Sequence, residues 1–290
     1  VLNKRAKIFK EKHSELSKIE KKMEELKISP SKISCKLNNF RQRFMGRDIV
    51  FFYDKSLNLY KVKSDNITMY FNNKMRGFNT YAYGIKKRSI SLAETYSLDK
   101  LKISNDEVVI DCGANFGDLY AWTLVKKLNI NYIAFEPSPR EFECIKLNCA
   151  GKKNNNIALS DKTGQTDFYL QSSSGDSSII EPASGFTKKI EIATIKLEDY
   201  VLNNNIKKIK FFKLEAEGYE PEILEGSKKI LNRIEYIGVD GSPERGKKND
   251  WTIDIVKKFL LKNGFELIGI KSNNFYAKGL FKNKIYNATK

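Results

Sequence analysis

The amino-acid sequence predicts an α/β fold with a mostly parallel sheet, and two patterns support this prediction. From residue 107 onward, β-rich segments alternate with helical ones, which is typical of parallel sheets. The segment 108–118 reads as a buried strand, a glycine turn and a helix. Its β-branched run suits a strand covered on both faces, and Gly113 and Gly117 suit a tight turn.

The predicted elements are enough for a seven-stranded sheet. Strands are expected at 107–112, 132–136, 156–159, 208–214, 235–240, 265–270 and 275–281. Helices are expected at 117–128, 138–149, 219–231 and 251–263, and an insertion at 165–195 carries two β-prone pieces. The last strand follows a very short turn, so we expect it to pair antiparallel with its neighbour.

The first 27 residues carry a heptad pattern. Apolar residues recur every seven positions from Leu2 to Met23, which predicts a helix that forms a coiled coil or docks on its own domain. A coiled coil would join two copies of the chain or a partner protein. Pro30 is expected to end this helix. His13, the only histidine, is expected at its solvated surface.

The predicted domains are the helix 1–30, a basic extension 31–102 and the sheet domain 103–290. Within the extension, an antiparallel meander of three strands is expected at 48–71, and a helix is expected at 89–96. The extension holds 15 Lys/Arg and 5 Asp/Glu, which accounts for +10 of the net charge of +17. It is either a lid with a lysine-rich solvated surface or a patch for an anionic glycan, lipid or nucleic acid.

Cysteine usage and hydropathy indicate where the protein works. The four cysteines form no C-x-x-C pair, so four thiols in a reducing cytoplasm are expected. No apolar run reaches the length of a membrane span, and no signal-peptide core is visible near the start. We therefore expect a cytoplasmic protein, with peripheral attachment to a membrane left open.

The glycine turn after the first sheet strand predicts a nucleoside site. Asn115 replaces a glycine of the G-x-G-x-x-G dinucleotide fingerprint, and no Walker-type Gly-Lys-Ser/Thr follows. Glu136 ends the second strand, 25 residues after Asp111, where an acidic residue typically accepts hydrogen bonds from ribose hydroxyls. The alternative for the turn alone is an ordinary glycine-rich βα connection.

Acidic residues also end the fourth and fifth predicted sheet strands. Glu215 and Glu217 lie at the carboxyl end of the fourth strand, and Asp240 lies at the end of the fifth. Asp240 is expected beside Glu217 if these strands are neighbours. Since open α/β sheets bind ligands at the carboxyl ends of their strands, these acids are candidates for a functional site.

Other charged residues nearby have simpler interpretations. Glu220 and Glu222 open a predicted helix, where the helix dipole favours negative charge, so a capping role is expected. Glu244 and Arg245 follow the fifth strand, where the alternative to a functional role is an ion pair in a surface loop.

Four motifs resemble those of the FkbM family of S-adenosylmethionine-dependent methyltransferases. They are V-I-D-C-G-A-N-F-G at 109–117, F-E-P at 135–137, A-L-S-D at 158–161 and K-L-E-A-E-G-Y-E at 213–220. The resemblance implies a class I methyltransferase fold, which is Rossmann-like, with a seven-stranded sheet. It also implies S-adenosylmethionine as cofactor and O-methylation of a glycan or another sugar-containing or natural-product acceptor.

The resemblance further implies a set of cofactor-binding residues. These are Asp111, Gly113, Ala114, Asn115, Gly117, Glu136, Pro137, Ala158 and Glu215. Glu215 departs from the family pattern, which usually has aspartate there. Its longer side chain moves the carboxylate by about one bond.

Methyl transfer to an alcohol needs alignment of the reacting atoms and a base for the hydroxyl proton. Because His13 is remote in sequence from the sheet, the base is expected to be a carboxylate, a tyrosine or water, and we expect Glu217 or Asp240. Arg245 is expected to hold an acidic group or a hydroxyl of the acceptor. In a variant of this mechanism the same carboxylates bind a divalent cation, although no metal site is predicted.

Two other functions stay open and two are disfavoured. The incomplete glycine fingerprint disfavours a nicotinamide oxidoreductase, and the turn after the fourth strand is not the Asn/Asp-Pro-Pro-aromatic turn of base N-methyltransferases. RNA ribose methylation stays open because the net charge of +17 permits it. A non-catalytic coiled-coil scaffold with the same fold stays open too, and it would bind no cofactor.

Overall fold

The structure, a computed structural model, describes residues 30–171 and 175–286. The predicted helix and coiled coil at 1–27, with His13, lie outside the described residues. The chain divides between Ile85 and Lys86 into two compact units.

The first unit combines helices with a three-stranded antiparallel sheet. Its elements are α1 (Pro30–Phe44), β1 (Val50–Asp54), β2 (Leu59–Ser64), β3 (Ile67–Phe71) and α2 (Lys74–Thr80). The strands pair antiparallel in the order β1-β2-β3, so the predicted meander is confirmed. Rings from all three strands and from α2 pack on one another in its interior, including Phe51, Tyr60, Phe71 and Phe78.

Pro30 begins α1, whereas the sequence analysis placed only a helix end there. Proline fits the first turn of a helix because the N–H that it lacks would have no partner at that position. The sequence analysis also missed α1 itself. Only Ile33, Cys35 and Gln42 are buried along this helix, so the apolar periodicity that would reveal it is weak.

The second unit is the predicted α/β domain. Its helices are α3 (Ile85–Thr95, which begins at the unit boundary), α4 (Asp118–Val125), α5 (Pro139–Asn148), α6 (Leu197–Asn203), α7 (Glu220–Glu225) and α8 (Ile253–Lys262). Its strands are β4 (Val108–Cys112), β5 (Asn131–Phe135), β6 (Lys153–Asn155), β7 (Ala158–Leu159), β8 (Gly164–Leu170), β9 (Lys188–Ile195), β10 (Ile209–Leu214), β11 (Ile234–Asp240), β12 (Pro243–Arg245), β13 (Asp250–Trp251), β14 (Phe265–Ser272) and β15 (Ala277–Asn283).

The main sheet has seven strands in the order β14-β15-β11-β10-β4-β5-β6. Only β15 runs antiparallel to its neighbours, which confirms the expectation for the last strand. Strands β4 and β10 lie in the middle, where helices cover both faces, and their side chains are almost all buried. This order brings the carboxyl ends of β4, β5, β10 and β11 to one edge of the sheet.

The prediction of a single strand at 156–159 was wrong. The chain there splits into β6, which joins the main sheet, and β7, which joins a small second sheet in the order β7-β9-β8. The two β-prone pieces of the insertion are confirmed as β8 and β9. Helix α6 was not predicted, because seven residues are too short to reveal a helical period.

The predicted helix 219–231 is broken in the middle. It consists of α7 and a separate 3-10 helix, Lys228–Arg233. Gly226 stands at the break, where a Cβ atom would lie 2.1 Å from the carbonyl oxygen of Ser160. The close approach of two backbones therefore ends α7.

Two expectations about the setting are tested by the structure. All four cysteines are buried and none forms a disulfide bond. Within residues 30–171 and 175–286, no helix has the length and apolar character that crossing a bilayer requires.

Candidate active site

The glycine turn between β4 and α4 is shaped by protein neighbours. Gly113 has a φ of +69°, and a Cβ atom there would lie 2.1 Å from the carbonyl oxygen of Glu215. Gly117 has a φ of +84°, and its Cβ atom would lie 2.6 Å from Sγ of Cys149. The two glycines therefore let the turn pass between the end of β10 and helix α5.

Glu136, at the end of β5, is tied to this turn. One carboxylate oxygen accepts a hydrogen bond from the backbone N–H of Asn115 at 2.8 Å, and the other accepts one from Ser138 N–H at 2.9 Å. Asn115 itself adopts a left-handed backbone with a φ of +54°. Its side-chain oxygen is buried and has no hydrogen-bond partner within the protein. The turn thus presents an unsatisfied acceptor beside a fixed carboxylate.

Asp111 is held inside the sheet. It is 1% exposed, and its carboxylate accepts a hydrogen bond from Tyr132 Oη at 2.5 Å and pairs with Lys213 Nζ at 3.0 Å. Strand register accounts for the pairing, since Asp111 on β4 stands directly beside Lys213 on β10. Because Tyr132 and Lys213 already engage its carboxylate, Asp111 supports the turn that follows β4.

Two lysines join the acids of neighbouring strands into one charge network, formed by Asp111, Lys213, Glu215, Lys278 and Asp240. Lys213 Nζ lies 2.8 Å from Glu215 and also donates to the carbonyls of Cys112 and Gly113. Lys278 Nζ lies 3.3 Å from Glu215 and 2.6 Å from Asp240. The network runs across β4, β10, β11 and β15 at their common edge.

The network fixes the ionisation of its members. Burial disfavours the charge of Glu215, but Lys213 and Lys278 outweigh it and hold the pKa of this carboxyl well below its usual range. Burial likewise opposes the charge of Lys213, yet the neighbouring carboxylates raise its pKa above the ordinary value. The departure of Glu215 from the family's aspartate thus places the longer side chain between two lysines.

Sequence reasoning missed both lysines and Tyr96, whose ring lies 4.9 Å from Nζ of Lys278. One signal was available. Lys213 stands between the buried apolar residues Phe212 and Leu214 of β10 and is 3% exposed, and a lysine buried to that extent needs an acidic partner. Lys278 gave no such signal, because only the antiparallel register of β15 places it beside Asp240.

Asp240 lies within the charge network. It is 3% exposed, it pairs with Lys278, and it accepts hydrogen bonds from both the backbone N–H and the hydroxyl of Ser242. Burial and the charge of Glu215 raise its pKa, although Lys278 opposes the shift. Lys278 therefore bridges Asp240 and Glu215.

Glu217 lies on the turn that follows β10, where the chain no longer runs along the strand. Its φ is +50°, and its carbonyl oxygen accepts a hydrogen bond from Ser178 of the β8–β9 insertion at 3.0 Å. Burial, followed by the charges of Glu244 and Asp176, raises the pKa of its carboxyl well above the usual value. Among the described residues, no lysine or arginine forms an ion pair with the carboxyl of Glu217.

Glu220 holds the turn of Glu217 in place through backbone groups that precede helix α7. Its carboxylate accepts hydrogen bonds from the backbone N–H groups of Ala216 and Gly218 at 2.9 and 3.1 Å, and from the hydroxyl of Thr252 at 2.8 Å. The side chain is fully buried. Burial raises the pKa of Glu220 to about 7, against the opposing effect of these hydrogen bonds.

Arg245 pairs with Glu222, and not with Glu244 as in the alternative ion pair considered from the sequence. Its guanidinium makes two contacts with that carboxylate, at 3.0 and 2.7 Å, and donates to the carbonyl of Gly218 at 2.6 Å. Glu244 faces the acids at the strand ends. Burial, and then the charges of Asp240 and Glu215, raise the pKa of Glu244 to about 9.

The remaining predicted residues line the site less directly. Ala114 is buried in the core beneath the turn, and the carbonyl of Pro137 accepts a hydrogen bond from the side chain of Asn156 at 3.1 Å. Ala158 lies on β7 and packs with Phe168 in a small apolar cluster. Among the described residues, no group of three or more His, Cys, Asp or Glu is arranged to hold a metal ion.

Comparison with known proteins identifies this arrangement. A sequence model of the methyltransferase FkbM domain matches residues 111–267, which is more than half of the chain and includes the end of β4 and all of β5, β10 and β11. The chain belongs to the FkbM methyltransferase family. It is an S-adenosylmethionine-dependent methyltransferase with a Rossmann-like α/β domain, as the motifs predicted.

Two curated relatives are similar to this methyltransferase. The 2-O-methyltransferase NoeI of Sinorhizobium fredii is 24% identical over 182 residues, which cover 57% of this chain and 75% of NoeI. The hexuronic acid methyltransferase AglP of Haloferax volcanii is 31% identical over 144 residues, which cover 47% of this chain and 56% of AglP. The matched region thus spans little more than half the length of AglP.

Solved structures with a similar fold are more distant. M. capricolum TrmK, in complex with S-adenosylhomocysteine, is 12% identical with a TM-score of 0.39, and the match covers 68% of this chain and 69% of TrmK. M. jannaschii TYW2, in complex with AdoMet, is 14% identical with a TM-score of 0.38, and the match covers 82% and 95% of the two chains. Structures this distant do not bear on the acceptor of this methyltransferase.

The residues at the strand ends fit S-adenosylmethionine. The acceptor-only carboxylate of Glu136 suits the two hydroxyls of a ribose. The buried side-chain oxygen of Asn115 lacks a protein partner, so a ligand donor would satisfy it. The turn that carries Asn115 is also held rigidly, because Gly113 and Gly117 leave no space for side chains.

Proposed function

We propose that this methyltransferase transfers a methyl group to a hydroxyl oxygen of a sugar or glycan. The observation that supports this most is the set of carboxyls that surrounds Glu217 next to the cofactor turn, because carboxylates accept hydrogen bonds and protons from hydroxyl groups. The names of the curated relatives support different parts of this proposal, since the 2-O-methyltransferase is named for methylation of an oxygen and the hexuronic acid methyltransferase is named for a sugar.

The cofactor-binding residues are proposed as follows. Glu136 binds the ribose hydroxyls, and Asn115 accepts one further hydrogen bond from the cofactor through its side-chain oxygen. Asp111, Gly113, Ala114, Gly117, Pro137 and Ala158 shape the turn and its surroundings. Glu215 holds the inner wall of the site through its two lysine partners. Bound S-adenosylmethionine supplies an activated methyl group on a positively charged sulfur.

Glu217 is the better candidate for the general base. Asp240 already pairs with Lys278 and accepts two hydrogen bonds from Ser242, so its carboxylate is committed to protein groups. The carboxyl of Glu217 has a raised pKa, and a stronger base removes a hydroxyl proton more readily. We assign Asp240 a positioning role, in which it orients Lys278 and through it Glu215.

Arg245 is assigned to the turn instead of the acceptor. Its bidentate pair with Glu222 and its bond to Gly218 O fix the backbone that carries Glu217. A Cβ atom on Gly218 would lie 2.5 Å from Cα of Arg245, so the two segments are in direct backbone contact. Arg245 thus acts on the reaction through the position of Glu217.

The first test is calorimetric titration with S-adenosylhomocysteine. Glu136→Ala removes the proposed ribose ligand, and we expect it to weaken binding at least about tenfold. Glu235→Ala is the matched control, because Glu235 pairs with Lys210 at 3.1 Å near the opposite end of the strands. Equal affinity in the two variants would show that Glu136 does not hold the ribose, and no binding by folded wild type would contradict the proposed cofactor site.

The second test identifies the product. Labelled S-adenosylmethionine is incubated with glycan acceptors, and the labelled product is treated with alkali. A methyl ether on a hydroxyl oxygen survives this treatment, whereas a methyl ester on a carboxyl group is hydrolysed. Label that is lost as methanol would therefore contradict the proposal of hydroxyl methylation.

A further inference from the structure

A cavity lies at the amino ends of the main-sheet strands, on the opposite edge from the cofactor turn. Its volume is about 670 Å³, and its wall includes Val108 at the start of β4 and Asn131 at the start of β5. Sites for small molecules typically have volumes of about 300–1,000 Å³. The cofactor turn follows Cys112 at the other end of β4, about 13 Å along the strand, so a ligand in the cavity would not occupy that turn.

Lysines dominate the charge of this cavity. Those in its wall are Lys152, Lys153, Lys207, Lys208 and Lys210. Lys210 already has carboxylate partners, because its Nζ lies 3.6 Å from Glu107 and 3.1 Å from Glu235. Asp106 is the other acid among the described residues of the wall. Four lysines therefore share the cavity with one remaining carboxylate.

These four lysines have no counter-ion in the part of the chain that the structure describes. Lys152 Nζ donates to Asn129 Oδ1 at 3.1 Å and to the carbonyl of Ile130 at 2.9 Å, and these neutral acceptors orient the ammonium group without cancelling its charge. The other three side chains are exposed and form no ion pair with a described residue. Like charges around one concave surface repel one another, and a bound anion would relieve that repulsion.

The lysines approach the cavity from two sides. Lys152 and Lys153 lie at the start of β6, whereas Lys207 and Lys208 come just before β10. Strands β4 and β5 lie between β10 and β6 in the sheet, so three strand spacings, roughly 14 Å, separate the two pairs of lysines. A ligand held by both pairs therefore needs negative charge at more than one point.

Lysine without arginine is suited to phosphate groups. An ammonium group is a compact charge with three donors, and it binds phosphate as a point charge, whereas arginine adds the planar fork that matches a carboxylate. No arginine belongs to the described wall of the cavity. We infer that this cavity binds a molecule that carries two or more phosphate groups. The site is separate from the cofactor site, and the inference does not depend on the proposed function.

Calorimetric titration of wild type with inorganic pyrophosphate and with inorganic phosphate tests the inference. We expect pyrophosphate to bind at least about tenfold more tightly, because its second phosphate group adds charge within reach of the second pair of lysines. Citrate carries several negative charges on carboxylates and is expected to bind more weakly than pyrophosphate. Absence of pyrophosphate binding, or equal affinities for pyrophosphate and citrate, would overturn the inference.

A double variant assigns the binding to this cavity. Lys207→Gln combined with Lys208→Gln removes one pair of exposed lysines, and we expect it to weaken pyrophosphate binding at least about tenfold. Lys257→Gln combined with Lys258→Gln is the matched control, since these neighbouring lysines lie on α8, outside the cavity wall, and their loss changes the net charge equally. Equal affinities in the two double variants would show that net charge alone attracts pyrophosphate, which would overturn the inference.

S-adenosylhomocysteine distinguishes the cavity from the cofactor site. Saturation of wild type with S-adenosylhomocysteine is expected to leave the pyrophosphate affinity unchanged, and competition between the two ligands would overturn the inference. Failure of wild type to bind S-adenosylhomocysteine would instead contradict the proposed cofactor site, while pyrophosphate binding would still decide the role of the cavity.

The same phosphate groups can belong to a soluble molecule or to a lipid. Phosphatidylcholine vesicles that contain farnesyl diphosphate are therefore compared with free pyrophosphate. Sedimentation of wild type with these vesicles, lost in the Lys207→Gln and Lys208→Gln double variant, supports the inference with a lipid ligand. Binding of pyrophosphate without such sedimentation supports it with a soluble ligand.

Discussion

At the scale of single residues, Glu217 and Asp240 show how environment divides two similar acids. Asp240 is held by Lys278 at 2.6 Å and by Ser242, whereas Glu217 stands on a left-handed turn among other carboxyls. Burial raises the pKa of both carboxyls, but at Asp240 the cation and the hydrogen-bond donors oppose the rise. A carboxyl that lacks a cation binds a proton more readily, so the two residues are suited to different roles.

We expect Glu217→Gln to lower the methylation rate constant by about 10²-fold or more, because an amide accepts no proton. In wild type, the rate should rise with pH through the raised pKa of Glu217, since only the deprotonated carboxylate acts as a base. The measurement is the pH profile of methyl transfer to the glycan acceptor.

Asp240→Asn is the informative comparison for this prediction. It removes the partner of Lys278 but leaves Glu217 in place, so the alkaline rise of the profile should persist. If the pH profile loses this rise in Asp240→Asn and keeps it in Glu217→Gln, Asp240 is the general base and Glu217 is not.

At the scale of elements, the turn after β4 and the end of β10 form one interlocked structure. Gly113 lies directly against the carbonyl of Glu215, and Lys213 donates to the carbonyls of Cys112 and Gly113. The backbone of one strand end therefore shapes that of the next. Because Asn115 follows on the same turn, displacement of this contact would move the groups that face the cofactor.

Gly113→Ala is expected to destabilise the fold by about 3 kcal/mol or more, because the added Cβ atom would meet backbone at 2.1 Å on top of the strain of a positive φ. Gly151→Ala is the control, since Gly151 has a φ of +78° and open space around it, and it should cost only about 1 kcal/mol. Urea unfolding of both variants measures the difference. Equal losses of stability in Gly113→Ala and Gly151→Ala would mean that the backbone of the turn shifts to accommodate the added Cβ atom.

At the scale of the whole molecule, the sheet gathers acids at one edge and buries them there. Burial raises the pKa of Glu220 to about 7, although its ordinary value lies near 4.5. The folded protein thus binds a proton here that the unfolded chain releases at lower pH. The stability that comes from this proton is complete below about pH 4.5 and is lost as the pH rises through about 7.

We therefore expect Glu220 to lower the unfolding free energy of wild type by on the order of 3 kcal/mol as the pH rises from about 4.5 to about 7. Glu220→Gln imitates the protonated carboxyl and should remove this part of the decline. Urea unfolding across the pH range measures it, with Glu225→Gln as an exposed control. The same slope in Glu220→Gln as in wild type would show that Glu220 does not titrate in this range.

Local pattern determined much of this protein. The run of β-branched residues before Gly113, the alternation of strands and helices, and the positions of Glu136, Glu215 and Asp240 at strand ends follow from the linear sequence, because strand burial and turn chemistry depend on neighbours in the chain. The same reasoning failed at 156–159, where a two-residue strand joins another sheet, and it missed helix α1, which begins at Pro30.

Only the tertiary structure decided which charges meet. Lys278 reaches Asp240 through the antiparallel register of β15, and Arg245 turns to Glu222 because Gly218 brings the two backbones together. These partners lie 23 or more residues apart in sequence, so no local spacing predicts that they pair. Ion pairing acts over a few ångströms of space, and the packing of the strands sets that distance. The sequence therefore determined which acids lie at the site, while the fold determined their roles.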